Sequence, residues 1–252
     1  MNNYKIGIFD SGIGGITVLK ELIKILPNEQ YIYYSDSKYN PYGSIDSDRL
    51  FKITCNIVEY FIEKKCKAVV IACNTASAVC SKRLREKYKN LIFIAIEPAY
   101  KMVYDYAYDK NALVMATPGT INSEKFKNLY NKYNNGKTTL LACDNLAHMI
   151  EEKDKNLDAY LFDLLSPYKD KISVVVLGCT HYPLIKDNIK RILGDVCFFD
   201  GAPGCGKQLE RILKEQNLLS DSNNRNIEFF DSSNSDEKKK RFFEIINNGF
   251  IW

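Results

Sequence analysis
Two cysteines stand where a chain most readily places chemistry. Cys73 ends the apolar run Val69-Val70-Ile71-Ala72 and is followed by Asn74-Thr75-Ala76. Cys179 ends Val174-Val175-Val176-Leu177-Gly178 and is followed by Thr180-His181-Tyr182. Each run reads as a buried strand passing through a tight turn into a helix, capped in the first case by Asn74 or Thr75. Free backbone N–H groups and the positive end of a helix dipole favour an anion at such a turn, and they favour a thiolate. Three chemistries use these groups. A nucleophile needs one thiolate and one base, which Cys179 and His181 would supply while Cys73 stood idle. A redox dithiol needs the two sulfurs adjacent. Two opposed thiols suit inversion at a carbon acid: one thiolate removes a proton from one face and the other thiol delivers one to the opposite face. That use requires a local partner to tune each sulfur, and Asp10 and His181 are the candidates. The other six cysteines, 55, 66, 80, 143, 197 and 205, read as packing residues.

The bulk composition narrows the class. A chain of 252 residues suits one large domain or two of ordinary size, and 46% hydrophobic residues can fill a core. A net charge of +4 with scattered Lys and Arg is not the basic stripe of a nucleic-acid binder. No signal-peptide pattern precedes the first predicted strand, and no apolar run reaches the ~18 residues of a membrane span. Eight cysteines without a Cys-x-x-Cys point to free thiols in a reducing cytoplasm. With only His148 and His181, and no zinc-ligand spacing, no metal site is expected. His148 reads as a surface or packing residue.

The elements that must position the two thiols alternate in type. Strand 5–10 leads into the turn Ser11-Gly12-Ile13-Gly14-Gly15 and a helix that ends near Pro27. Glycines there let backbone amides approach an anion. A dinucleotide fingerprint would place its third glycine at position 17, which is Thr. Strand 31–34 precedes the loop Tyr39-Asn40-Pro41-Tyr42-Gly43-Ser44, and helix 49–64 precedes the Cys73 strand. Helix 77–88 and strand 91–96 close on Glu97-Pro98, and a second unit starts at Ala99. It runs as helix 100–107, strand 112–116, the turn Thr117-Pro118-Gly119-Thr120, helix 123–133 and strand 138–142. Helical segments 147–152 and 157–165 then lead to the Cys179 strand, helix 185–193 and strand 196–199. Gly201 to Lys207 matches G-x-x-x-x-G-K, but Gln208 stands where a phosphate loop needs a hydroxyl, so a plain strand–turn–helix is preferred. A polar loop 220–226, strand 227–230, and a charged stretch running into helix 242–246 complete the chain. Lys238-Lys239-Lys240-Arg241 reads as a solvated helix face. The class is α/β with largely parallel sheets. Asp10, Cys73, Thr117 and Cys179 all end predicted strands, so the site is expected between the halves, outside the strands' carboxyl ends.

Five blocks carry a resemblance. Phe9-Asp10-Ser11-Gly12-Ile13-Gly14-Gly15, Tyr34-Ser35-Asp36 with Pro41-Tyr42-Gly43, Ala72-Cys73-Asn74-Thr75-Ala76, Ile96-Glu97-Pro98, and Leu177-Gly178-Cys179-Thr180-His181-Tyr182-Pro183-Leu184 together resemble the glutamate racemase family. The resemblance implies two pseudosymmetric α/β domains, residues 1–97 plus 206–252 and residues 98–205, with the site at their interface. It implies cofactor-independent interconversion of L- and D-glutamate, supplying D-glutamate for peptidoglycan. A racemase of the same superfamily acting on aspartate or another amino acid is the alternative. Carried over by position, Cys73 works on the D-isomer with Asp10 assisting, and Cys179 on the L-isomer with His181. Asp10, Ser11, Tyr42, Gly43, Asn74, Thr75, Thr180 and His181 would hold the substrate, with Thr120 and Glu151 as further matches. A cytoplasmic homodimer without a nucleic-acid or membrane partner is implied. The chain departs from the family pattern at Ser35-Asp36, at Ser44-Ile45-Asp46 and at Asp144. None of these removes a thiol or its partner.

Overall fold
Strands buried on both faces need apolar side chains at every position, and the chain supplies them where the sheets are centred. In a computed structural model, which describes residues 4–221 and 226–248, Ala68–Ile71 and Val174–Gly178 are fully enclosed. The first sheet holds β1 (Lys5–Asp10), β2 (Tyr31–Ser35), β3 (Cys66–Ile71) and β4 (Ile92–Ala95), with helices α1 (Ile16–Ile25), α2 (Ser47–Glu63) and α3 (Asn74–Lys87) between them. After α4 (Lys101–Tyr106) the second sheet follows. Its strands are β5 (Ala112–Ala116), β6 (Thr138–Ala142), β7 (Val174–Gly178) and β8 (Cys197–Asp200). Its helices are α5 (Pro118–Asn122), α6 (Glu124–Tyr133), α7 (Leu146–Glu151), α8 (Leu157–Leu165) and α9 (Lys186–Leu193). The chain then returns through α10 (Ala202–Glu215) to β9 (Ile227–Asp231), which pairs with β2, and ends in α11 (Asp236–Asn248).

Every strand pair is parallel. The first sheet has the order β4-β3-β1-β2-β9 and the second, read from its other edge, β8-β7-β5-β6. The second half thus repeats the first four-strand order, β5 standing for β1 and β7 for β3. In such doubly wound sheets the crevice between the first and third strands is where the strand order reverses and ligands bind. Phe9 pairs with Ile71, and Ala116 with Gly178. That register brings Asp10 and Cys73 to one crevice, and Thr117 and Cys179 to the other.

Helices cover both faces of each sheet. Ile8 and Val70 pack under α1 and α10 with Val18, Leu22 and Leu209, while Phe9, Val69 and Ile71 meet Ile57 and Phe61 of α2. In the second sheet Met115, Val175 and Leu177 pack against Leu161 and Ile189, and Val114 and Val176 against Phe126. Side-chain oxygens start the helices cleanly: Asp46 accepts from Asp48 and Arg49 N–H, and Ser123 from Phe126 N–H.

Four local expectations are corrected. Helix α3 begins at Asn74, so Cys73 is the residue that precedes it, and Asn74 and Thr75 form its first turn rather than its cap. Thr117 to Thr120 is not an open turn: Thr117 caps the short helix α5 and accepts from Thr120 N–H. Residues 202–207 are helical, so the glycines there form no phosphate-wrapping loop. Pro203 fits because the first turn of a helix needs no N–H. The basic run is only half a solvated face: Lys239 and Lys240 are exposed, whereas Lys238 and Arg241 are half-buried on α11. Residues 222–225 of the expected 220–226 loop lie outside the described residues. Among the described residues no helix is long and apolar enough to cross a membrane.

Candidate active site
Cys73 and Cys179 are both buried, at 6% and 7% exposure, and all eight cysteines are free thiols. The two lie close enough that charge on Cys179 acts on Cys73. Their surroundings differ. Cys73 faces Ser11 Oγ at 4.0 Å. Burial pushes its thiol well above the usual range, the nearby Asp10 carboxylate adds to that, and the Ala76 N–H at the start of α3 works the other way. Cys179 faces His181 Nδ1 at 3.8 Å. The other ring nitrogen, Nε2, lies 2.8 Å from Glu151 Oε2, which also accepts from Ile13 N–H at 2.9 Å. Burial opposes charge on His181, but its bonds to Cys179 and Glu151 outweigh burial and hold the imidazole well above its ordinary value. Burial likewise opposes the Glu151 carboxylate, and His181, Ile13 N–H and Lys238 overcome it, leaving that carboxyl below its usual range. The pair is therefore an imidazolium and a carboxylate, both buried, with the imidazolium turned toward sulfur.

Asp10 lies between the two halves. It accepts from Gly12 N–H at 3.2 Å and from Thr180 Oγ1 at 3.1 Å. Burial raises its carboxyl, against the pull of His181 and Gly12. The Thr180 bond joins the last residue of β1 to the turn after β7, tying the two crevices together. A second tie runs from Thr75 Oγ1 to Thr117 Oγ1 at 3.0 Å and on to Thr120 Oγ1 at 3.0 Å. Asn74 Oδ1 is buried without a hydrogen-bond partner, an acceptor that a ligand's N–H could satisfy. Asn74 and Thr120 also line a cleft of about 230 Å³ together with Ile96, Pro98 and Phe126.

The structure brings Asp10, Ser11, Cys73, Cys179, Thr180, His181 and Glu151 together through these contacts. Thr75 and Thr120 join the set through Thr117, which only the strand-end argument had singled out. Tyr42 is placed differently from its neighbours: its hydroxyl donates to Asp36 Oδ2 at 2.6 Å, so the group aimed at the site by its loop is the Gly43 backbone, which passes Gly119 and Thr117. Asp36, named only as part of the resemblance, supports that loop; its place just after β2 and six residues before Tyr42 was the available signal. His148 is exposed on α7 and takes no part.

A stability test follows from the buried ion pair. Glu151 is lowered from 4.5, so its contribution is present above that value and fades as pH falls through the lowered value. His181 is raised from 6.5, so its contribution is complete below that value and is lost as pH rises through the raised value. Glu151→Gln should cost about 3 kcal/mol in urea unfolding, because it leaves a buried charge unpaired. The gap from the parent protein should be widest between 4.5 and 6.5 and narrow on both sides. A gap independent of pH would mean that the pair is not ionic.

Two α/β sheets of repeated order that meet at their strand ends, with acids, hydroxyls and a thiol at the crevices, fit an acid–base enzyme of the racemase type. The Asp/Glu/Hydantoin racemase family pattern matches residues 26–203. A glutamate racemase of Clostridium perfringens is 42% identical, with 97% of this chain and 98% of the relative covered. One from Clostridium botulinum is also 42% identical, with 94% of each covered. The crystal structure of glutamate racemase from Francisella tularensis in complex with D-glutamate superposes with a TM-score of 0.83 at 33% identity, covering 100% of this chain and 96% of that one. The chain belongs to the glutamate racemase family.

Proposed function
We propose that the protein interconverts L- and D-glutamate by two-base proton transfer between Cys179 and Cys73. The observation that supports it most is the placement of the two sulfurs at equivalent ends of β7 and β3, each with its own acid–base neighbours. In the L-to-D direction, Cys179 as thiolate removes the α-proton, and His181 as imidazolium stabilises that thiolate beforehand. The electron pair left on the α-carbon takes a proton from the Cys73 thiol on the opposite face. The products are D-glutamate, a Cys179 thiol and a Cys73 thiolate, and the D-to-L direction starts from that state. Burial and Asp10 favour Cys73 in its protonated form, so the resting enzyme is set for the L-isomer. Helix α3 offers N–H groups for a substrate carboxylate, and Ser11, Thr75 and Thr180 supply hydroxyls. Asn74 Oδ1 is the acceptor for the substrate ammonium.

In this reading the units are residues 1–97 plus 206–252 and residues 98–205, and the substrate lies between them. The protein acts in the cytoplasm as a homodimer, and its D-glutamate serves peptidoglycan synthesis. The test follows the loss of the circular dichroism signal of L-glutamate and L-aspartate in deuterated water. The expected result is full racemisation of glutamate with deuterium at the α-carbon, and aspartate turned over at least tenfold more slowly. A reversed preference would make the protein an aspartate racemase. Loss of optical activity without α-deuterium would defeat the two-base mechanism.

A further inference from the structure
Glu151 carries both of its hydrogen bonds on one oxygen. Oε2 takes the Ile13 N–H and the His181 ring, while Oε1 is buried with no hydrogen-bond partner among the described residues. Among the described residues, the cation paired with Oε1 is Lys238 of α11, with Nζ at 3.8 Å, beyond hydrogen-bond reach but within reach of charge. Lys238 also stands 3.9 Å from Glu152 Oε1. One turn further along α11, Arg241 donates to the Glu151 carbonyl and, at 3.2 Å, to the Ile150 carbonyl, the last carbonyls of α7. A guanidinium there completes the end of α7 and fixes where Glu151 starts.

These contacts cross the molecule. Helix α11 packs on β9 and α1, in the half that holds Cys73, whereas α7 belongs to the half that holds Cys179. Between them lies an opening of about 440 Å³ that reaches from solvent to the back of Glu151. His181 and Asp10 face the Glu151 carboxylate from the protein interior. From α11 it is faced by Lys238 and Arg241, with Glu237, Lys240 and Glu244 on the rim, and from its own segment by Glu152 and Lys153. Acids and bases balance on that rim, so the position of the single ammonium nearest Oε1 decides the local field.

We propose that Lys238 is a positioning residue for the reaction: from outside the active site it holds the Glu151 carboxylate on the His181 ring, and so sets the imidazolium that faces Cys179. The inference rests on the reading of Cys179 and Cys73 as the two bases. Lys238 touches neither sulfur nor substrate, so its removal should change kcat and leave KM as it is.

The test compares the full chain with Lys238→Met, which keeps the stem and loses the charge, and with Lys238→Arg, which restores it. Racemisation is followed across pH in both directions, with thermal unfolding as the check on folding and Cys179→Ser as the reference. For Lys238→Met we expect kcat to fall about fivefold to tenfold, KM to stay unchanged, and the acid limb of the pH profile to move to higher pH. Lys238→Arg should recover most of the rate and the original limb. If Lys238→Met keeps the parent profile and rate while Cys179→Ser is inactive, Lys238 has no positioning role although the two-base reading stands. A loss that Arg does not rescue, with an unmoved acid limb, would make Lys238 a packing residue. If Cys179→Ser itself turns over normally, the underlying reading fails and this inference with it.

Discussion

Cys179→Ser and Cys73→Ser should each fold normally and lose about 10³-fold or more in kcat, the upper part of what a positioned acid–base group contributes. A serine hydroxyl is too weak an acid to be a base at neutral pH, and the swap barely changes volume in a buried site. The two enantiomers are equally stable in water, so kcat/KM must fall by the same factor in both directions for either variant. Turnover alone therefore does not tell the sulfurs apart, and solvent exchange does. In deuterated water the Cys179→Ser enzyme still has Cys73, which can remove the α-proton of D-glutamate and return a deuteron to the same face. It should wash label into D-glutamate without inverting it. Cys73→Ser should do the same for L-glutamate alone. Proton NMR of the α-position reads both. The opposite pairing would exchange the roles of the sulfurs, and a variant that keeps near-parental racemisation would remove its cysteine from the mechanism.

The asymmetry between the two sites sharpens this expectation. Cys179 has an imidazolium 3.8 Å away that is held in place by Glu151, whereas Cys73 has a hydroxyl, a helix N–H and a buried carboxylate. The first environment sets a positive charge beside the sulfur, and the second favours the thiol. In the proposed mechanism each turnover moves the negative charge from one sulfur to the other, and the Asp10–Thr180 bond spans the two crevices.

What could be read from the chain alone is what local pattern controls. The valine-rich runs before Cys73 and Cys179 predicted buried parallel strands because a two-sided interior leaves no choice of residue. Strand ends then located Asp10, Thr117 and both sulfurs, since doubly wound sheets bind at one edge. Helix starts were less legible. Asn74 and Thr75 have good capping side chains, yet the turn is tight enough that the helix takes them in. Pro203, Gly204 and Gly206 weaken α10 locally, and packing overrides them: Gly206 comes so close to Ile25 of α1 that a side chain there would collide. Contacts between distant segments left no trace in the sequence pattern. Lys238 and Glu151 are brought together by the return of the chain to the first sheet, and a run of four basic residues looks solvated until the fold places two of them inward. Glu151 itself was reachable only by resemblance, because nothing near it in sequence announces an ion pair with His181.

Gly14→Ala should cripple the reaction although it removes no functional group. A methyl at Gly14 would sit 2.4 Å from His181 Nδ1 and 2.7 Å from Thr180 Oγ1. Neither neighbour can yield freely. The His181 ring is buried and held through Nε2 by Glu151, so moving Nδ1 away from the methyl moves it relative to Cys179. Thr180 Oγ1 is held by Asp10, so its withdrawal breaks the bond that joins the two crevices. The turn cannot back away either, because Thr17 ties it down by donating to the Gly14 and Thr180 carbonyls at 2.9 and 3.2 Å. A shift of about 1 Å in a catalytic group costs on the order of 10²-fold in rate, and that is the expected fall in kcat. Crowding a packed site should also lower stability by about 1–3 kcal/mol. A control separates the two effects. Gly136 has φ +71° with nothing within 4 Å of a would-be methyl, so Gly136→Ala strains the backbone far from both sulfurs. It should cost about 1 kcal/mol or slightly more in stability and leave kcat untouched. If Gly14→Ala loses stability but keeps its rate, as Gly136→Ala should, then His181 can leave its place beside Cys179 at no cost to catalysis. The imidazole would then have no part in the step proposed for Cys179.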